Sequence, residues 1–203
     1  MTSVQILQVA SALFARHGFA GTSTRDIARE VGLSQPALYK HFGSKQEILR
    51  ALADAVLDPW LLLIARTNDA AVPASVRLYW LFDAICRDLA TARYTVLPLL
   101  AESAIRTREF AGARRKYAKV AAAFRDLIAQ GTRDGDFRDI DPEFAQSAVL
   151  SLTDLLIFPI DDGLIGRVEP TVEFALRGLL ARPQRYDAIV EQARCWSTVS
   201  ATE

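Results

Sequence analysis

The stretch of residues 22–47, TSTRDIAREVGLSQPALYKHFGSKQE, constrains the fold more than any other part of the chain. Ser23 can cap a short helix, and Gly32 can end it by taking the left-handed conformation. Ser34 can cap a second helix with Pro36 in its first turn, where a missing N–H is tolerated. Two helices joined by a short turn that contains glycine form a helix-turn-helix, whose second helix fits the major groove of DNA.

Two neighbouring patterns extend this motif into a three-helix DNA-binding unit. Ser44 and Glu47 form an S-x-x-E capping box, which predicts a helix that starts at Ser44 and continues towards Leu63. Before the motif, apolar residues repeat at helical spacing and predict a first helix that ends at Gly18. Its apolar stripe can cover the motif, because two short helices alone bury too little surface to hold their angle.

The second helix of the motif carries the candidate base contacts. Gln35 can pair with adenine, while the methyl group of Ala37 can contact a thymine methyl. Lys40 can bind either a guanine or a phosphate. The full set of predicted DNA-binding residues is Thr24, Arg25, Ser34, Gln35, Pro36, Ala37, Tyr39, Lys40, His41 and Lys45.

Other residues of this set are predicted to hold the DNA backbone. Tyr39, His41 and Lys45 are placed to contact phosphates, and Thr24 and Arg25 to clamp the backbone on the other side. The alternative is a solvated helix-turn-helix that contacts protein. The absence of acidic residues from position 34 to position 45 favours DNA.

Charge is unevenly distributed along a chain that is neutral overall. Residues 1–50 contain six Lys and Arg against three Asp and Glu, a net charge of +3, which leaves 18 against 21, a net charge of −3, for the rest. The basic end is the helix-turn-helix end. A modest local excess is enough for phosphate contacts.

The run FARHGFAGTSTRDIAREVGLSQPALYKHFGSKQEILRAL resembles the DNA-binding segment of TetR-type transcriptional regulators. The rest of the chain resembles that family in its length and all-helical pattern. The resemblance implies a larger helical domain that binds a small-molecule effector and forms a homodimer. The positions that match the family pattern are Gly18, Thr22, Ile27, Ala28, Gly32, Tyr39, Phe42, Lys45 and Leu49.

The expected architecture is therefore all-α, with about nine to ten helices. Residues 1–50 are predicted to form the helix-turn-helix domain, 51–182 the ligand-binding and dimerisation domain, and 183–203 a short helix and flexible tail. Between two of the later helices, Gly131 and Gly135 are expected to supply positive φ angles in a turn.

Aromatic residues of the later helices outline a candidate ligand pocket. A cavity lined by them, with a few acidic anchors, would suit a small and largely apolar molecule. Core packing explains each aromatic residue equally well. The predicted pocket residues are Tyr79, Trp80, Asp83, Tyr94, Phe110, Tyr117, Phe124, Asp154 and Phe158.

Small side chains cluster in two late helices and form the candidate dimer interface. Small residues let two helices approach closely, although a monomer could use the same faces internally. A single helix-turn-helix also needs a second half-site, which favours a homodimer on a palindromic operator. The predicted interface residues are Ala145, Ala148, Ser151, Phe174, Ala175, Gly178 and Leu179.

The sequence gives little support to catalysis or metal binding. His17 and His41 are its only histidines, and Cys86 and Cys195, which lack metal-ligand spacing, are expected to be buried thiols in a reducing cytoplasm. No apolar run reaches the ~18 residues of a membrane span. We therefore expect a cytoplasmic protein that is no enzyme and has no cofactor, metal or membrane partner.

The predicted function is a DNA-binding regulator, by default a repressor released from its operator by the effector. Two alternatives belong to other classes. One is a helical small-molecule carrier or enzyme whose helix-turn-helix is incidental, and the other is a protein-interaction module that ignores DNA.

Overall fold

The computed structural model describes residues 2–69, 71–92, 110–156 and 164–199. Those ranges contain no strand beyond an isolated antiparallel bridge between Phe137 and Leu180, and none of their helices is long and apolar enough to cross a membrane. The all-α prediction is confirmed. The described α-helices are α1 (Ser3–Gly21), α2 (Thr24–Val31), α3 (Gln35–Tyr39), α4 (Lys45–Arg66), α5 (Ala74–Thr91), α6 (Ala111–Arg133), α7 (Pro142–Ser151), α8 (Leu164–Leu179) and α9 (Tyr186–Val199), with 3-10 turns at Leu152–Leu156 and Pro183–Arg185.

The chain divides into two compact units. The first unit comprises Met1–Pro59 and Ala92–Tyr117, and the second comprises Trp60–Thr91 and Ala118–Glu203. Helices α4 and α6 each start in the first unit and end in the second. The domain boundaries expected at residues 50 and 182 stay a prediction.

The first unit contains the three-helix arrangement that the sequence predicts. Helix α1 packs on α2, and α2 packs on α3. The apolar stripe of α1 is buried at Ile6 and Phe14, together with Ile27 of α2 and Leu38 of α3. These side chains fix the two short helices, which are too short to be stable on their own.

Helix α1 differs from the prediction at its end. It continues to Gly21 through a kink at Gly18, whose φ of 71° and ψ of 166° are not helical. After the helix, Thr22 Oγ1 donates hydrogen bonds to the carbonyl oxygens of Gly18 at 2.9 Å and Leu13 at 3.2 Å. The buried hydroxyl of Thr22 thus fixes the chain where it turns towards α2.

The second unit is built around α5, which packs against α8 and α9. The ring of Tyr79 makes a T-shaped contact with Tyr186, and Phe82 makes another with Phe124. Such edge-to-face pairs stabilise a core beyond the area that they bury. Helix α9 is the short C-terminal helix expected within residues 183–203.

The two thiols lie in different environments. Cys86 is buried, as expected, and burial raises the pKa of its thiol. Cys195 is exposed, so the expectation of a second buried thiol was wrong. Helix α9 buries Ile189 and Ala193 instead, and Cys195 lies on its other side.

The turn between α6 and α7 uses its two glycines for different purposes. Gly135 has a φ of 77°, as predicted. Gly131 has no positive φ and lies inside α6, so that part of the prediction was wrong. A Cβ atom at Gly131 would collide with the ring of Phe137, so the glycine here makes room for a buried aromatic side chain.

The same turn is bonded to several elements of the second unit through Asp136. Its carboxylate accepts hydrogen bonds from Ser75 Oγ at 2.6 Å and Arg185 Nη1 at 2.8 Å. Its carbonyl oxygen accepts from the backbone N–H of Ala181 at 2.9 Å. The start of α5 and the segment between α8 and α9 therefore meet at one carboxylate residue.

Candidate nucleic-acid interface

Helix α2 begins and ends as the sequence predicts. Ser23 Oγ accepts a hydrogen bond from the backbone N–H of Asp26 at 3.1 Å, and the Asp26 carboxylate accepts from the N–H of Ser23 at 3.1 Å. This reciprocal capping box satisfies two N–H groups that the first turn leaves free. Gly32, with φ 76° and ψ 28°, closes the helix in the left-handed conformation.

Helix α3, the candidate recognition helix, is short and mostly exposed. Ser34 Oγ accepts from the N–H of Ala37 at 3.3 Å, and Pro36 lies in the first turn. Leu38 is the residue of α3 that is buried. The remaining side chains of α3 are thus left for other contacts.

Three polar side chains connect the start of α2 with α3. Gln35 Nε2 donates to Thr24 Oγ1 at 3.2 Å and to Tyr39 Oη at 3.5 Å. The hydroxyls of Thr24 and Tyr39 lie 3.1 Å apart. We call these three residues the polar cluster. Each was predicted to bind DNA, but the bonds among them were not foreseen, because they depend on the angle between the helices.

Lys45 is bonded to the protein backbone, although the sequence suggested only a phosphate contact. Its Nζ donates to the carbonyl oxygens of Phe19 at 2.6 Å and Thr22 at 2.7 Å, and lies 4.3 Å from the centre of the Phe19 ring. Partial burial lowers the pKa of the ammonium group. The first residue of α4 is therefore bonded to the last turn of α1 and to Thr22, which follows that helix.

The other predicted contact residues are mostly open to solvent. Arg25, Lys40 and His41 are exposed, as are Ser34 and Pro36, whereas Ala37 is half-buried. The ring nitrogen Nδ1 of His41 lies 3.5 Å from Ser3 Oγ. The surface beside the polar cluster is thus rich in hydrogen-bond donors and positive charge, as phosphate contacts require.

The described residues of the predicted ligand pocket belong to both units. Phe110 packs against Phe19 in the first unit, with ring centres 6.0 Å apart, whereas Phe124 lies in the core of the second. Tyr117 and Asp154 are exposed. Tyr94 and Phe158 lie outside the described residues.

The three predicted pocket residues of α5 have different partners. Tyr79 borders a cavity of only about 10 Å³ between α5, α7 and α8. The Trp80 ring lies 5.3 Å from that of Trp196, and Asp83 forms an ion pair with Arg87 at 2.7 Å. In the described part of the chain, no group of three or more His, Cys, Asp or Glu residues is arranged to hold a metal ion.

The predicted dimer residues divide between two faces of their helices. Ala145, Ala175 and Leu179 are buried within the second unit. Ala148, Ser151, Phe174 and Gly178 are exposed. Phe174 is 72% exposed and, with Leu155 and Pro170, borders a surface groove of about 410 Å³.

Residues 6–52 match the family model described as bacterial regulatory proteins, tetR family. The chain is 27% identical over 146 residues to the HTH-type transcriptional repressor KstR2 of Rhodococcus jostii, a match that covers 70% of this chain and 71% of that protein. The crystal structure of AmtR from Mycobacterium smegmatis is 30% identical, covers 93% of this chain and 92% of its own, and has a TM-score of 0.77.

A second solved structure agrees in fold. The ketosteroid transcriptional regulator KstR2 of Mycobacterium tuberculosis has a TM-score of 0.78 at 23% identity, over 89% of this chain and 95% of that chain. The names of the two KstR2 proteins describe regulators of transcription. With its capped helix-turn-helix and its second helical unit, this chain belongs to the TetR family of DNA-binding transcriptional regulators.

Proposed function

We propose that this protein is a cytoplasmic repressor that binds a palindromic operator as a homodimer and is released by a small, largely apolar effector. The observation that carries the proposal is the polar cluster of Thr24, Gln35 and Tyr39 at the exposed surface of the helix-turn-helix. Side chains that hold one another before DNA arrives lose less freedom on binding. The repressor name of the Rhodococcus relative supports the direction of regulation.

The division of roles follows from the environments of the side chains. Gln35 lies at the N-terminal end of α3, the part that reaches base edges in this docking mode. Tyr39 and Lys40, which are exposed, are placed for the phosphates. Lys45 acts on the DNA contact surface through the carbonyl oxygens that it holds.

The dimer proposal is supported by exposed apolar side chains on the second unit. Along α8, Gly166, Pro170, Phe174 and Gly178 recur every four residues and are all exposed. On α7, Phe144 is 65% exposed. An exposed apolar face such as that of α8 is typical of protein contact sites, and its glycines allow close approach of a second helix.

The effector proposal is supported by the aromatic character of the second unit and by the continuity of α4. Because α4 starts beside the helix-turn-helix and ends in the second unit, a ligand that displaces its C-terminal part would also move Lys45. Couplings of this type change affinity by about 5–150-fold. A compound that binds among the aromatic residues of the second unit and leaves operator affinity unchanged would contradict this part of the proposal.

Selection from a random duplex pool at near-physiological salt tests the DNA function. We expect an enriched palindrome whose half-sites lie about 34 Å apart, one turn of DNA. On that operator, Gln35→Ala should relax base preference, whereas Tyr39→Ala should weaken specific and random DNA alike. A pool that stays random would refute the proposed function.

The dimer is tested with two equally exposed residues. Phe174 and Leu62 are both 72% exposed. Phe174→Glu should convert the protein to a monomer in sedimentation velocity and abolish binding to the palindrome, since a charge is placed in an apolar contact. Leu62→Glu is the control and should leave the dimer intact. If both variants stay dimeric, the interface lies elsewhere.

A further inference from the structure

A cleft in the second unit holds a buried positive charge. Its volume is about 380 Å³, within the range of about 300–1,000 Å³ of small-molecule sites. It lies between the C-terminal end of α4, α5 and α6, and the described residues that line it include no aromatic residue. Among the residues that line it are Ile64, Arg77, Lys119, Ala123, Leu127 and Gln130.

The guanidinium group of Arg77 is the unusual feature of this cleft. Arg77 is 4% exposed. Its Nη1 donates to the carbonyl oxygen of Thr67 at 2.9 Å and its Nη2 to Oε1 of Gln130 at 2.8 Å. Its Nε is buried and has no hydrogen-bond partner among the described residues. Both bonds reach neutral oxygens, and no carboxylate in the described part of the chain forms an ion pair with this charge.

Such a group is unfavourable by itself. A buried charge is normally paired or fully hydrogen-bonded, because its removal from water is expensive. Arg77 keeps a further hydrogen on each terminal nitrogen, and its planar fork suits an oxoanion. The protein therefore holds a preformed cation at a cleft that is large enough for a ligand.

Two other charged residues line the cleft, a lysine that adds to its positive character and an aspartate that already has a partner. Lys119 is exposed and forms no ion pair within the ranges that the structure describes. Asp126, which also lines the cleft, is already paired with Arg125 at 3.1 Å. An incoming anion thus meets two positive charges that lack an acidic partner.

The cleft also has an apolar side formed by Ile64, Ala123 and Leu127. We propose that it binds a small amphiphilic oxoanion, whose carboxylate or phosphate head lies at Arg77 and Lys119 and whose short apolar body lies on these three residues. The site differs from the aromatic residues proposed for the effector, and its occupancy is measured without DNA. Its failure would therefore leave the repressor proposal untouched.

Titration calorimetry with three probes of one chain length tests the proposal. Octanoate or octyl phosphate should bind saturably in the millimolar range or tighter, and 1-octanol at least about tenfold more weakly, since it lacks the charge that the site selects. A preference between the two anions identifies the head group. Equal binding of the alcohol and the anions, or no saturable binding of either anion, would overturn the proposal.

Three variants place the bound probe in this cleft and avoid changing Arg77, which also holds the end of α4. Ala123→Phe should abolish binding by filling the cleft, and Lys119→Gln should weaken the anions about threefold while leaving the alcohol unchanged. Arg133→Gln removes an exposed charge of α6 that does not line the cleft and is the control. Anion binding that survives Ala123→Phe, or that Arg133→Gln weakens as much as Lys119→Gln, would overturn the assignment.

Discussion

The candidate recognition helix α3 and the core helix α5 hold their side chains by different means. Helix α3 has five residues, of which Leu38 is buried, and its outer side chains are positioned by hydrogen bonds to Thr24 of α2. Helix α5 has 18 residues and buries most of them. Hydrogen bonds therefore position the outer side chains of the proposed DNA-binding surface, whereas apolar packing supplies the stability of the second unit. Changes in the two regions should be separable in experiment.

The largest effect on the free energy of unfolding is expected from a substitution in the core of the second unit. Phe124 is completely buried and packs against Phe82, with ring centres 5.9 Å apart. Phe124→Ala should lower the free energy of unfolding by about 3–5 kcal/mol in urea denaturation, without changing the operator affinity of the folded fraction. Leu62→Ala, at an exposed position, is the control and should change stability by less than about 0.5 kcal/mol. Equal losses of stability in Phe124→Ala and Leu62→Ala would contradict the view that apolar packing stabilises the second unit.

Compared with Phe124→Ala, a substitution of Lys45 is expected to change stability less and DNA binding more. Lys45→Met removes two charged hydrogen bonds to backbone carbonyls and should cost about 2 kcal/mol. Operator affinity should fall while its dependence on salt stays the same, because this ammonium is already occupied. Lys40→Met should instead reduce the slope of log K against log salt by about one and leave stability unchanged. A reduced slope for Lys45→Met would assign that residue to a phosphate.

Two glycines permit a matched test of the same backbone conformation in both units. Gly32 has a φ of 76° and Gly135 a φ of 77°, and nothing lies within 4 Å of a Cβ atom added at either. Alanine at each position should cost about 1 kcal/mol, because only the backbone is strained. Gly32→Ala should also weaken operator binding, whereas Gly135→Ala should not. Equal losses of affinity would mean that the turn of the helix-turn-helix has no special role.

The smallest predicted effect is a dependence of stability on pH that comes from Asp26. Hydrogen bonds from Ser23 hold the pKa of the Asp26 carboxyl below its ordinary value of 3.8. A carboxyl group whose pKa is lower in the folded protein than in the unfolded one stabilises the fold. This stabilisation is fully present above the ordinary pKa and is lost as the pH falls through the lowered pKa. Asp26→Asn should therefore remove a small part of the acid destabilisation. Carboxyl NMR titration that gives an ordinary pKa for Asp26 would contradict this.

The first unit could be predicted closely because its signals are local. Ser23, Gly32 and Ser34 act within a few residues of themselves, so the sequence alone indicates where α2 and α3 begin and where α2 ends. The bonds of Gln35 and Tyr39 to Thr24 and the bonds of Lys45 could not be foreseen, since they join residues that are distant along the chain.

The second unit shows the limit of pattern analysis more clearly. Periodicity predicted helices but not which face of each helix is buried, so Ala145 and Ala175 were grouped with the exposed Phe174. Gly131 was assigned to a turn because a glycine near other turn residues usually has a positive φ. Its actual role depends on Phe137, whose position is set by tertiary packing.

Asp136 also bears on where this protein can be modified. Surface turns between helices usually accept insertions and fusions, because few contacts depend on them. The turn after α6 is an exception, since Asp136 binds Ser75, Arg185 and the backbone of Ala181. A peptide tag inserted beside Asp136 would disconnect the start of α5 from the segment between α8 and α9. For the same reason, a circular permutant opened at this turn would keep Asp136 but would free the chain on one side of it, which weakens its bonds to these segments.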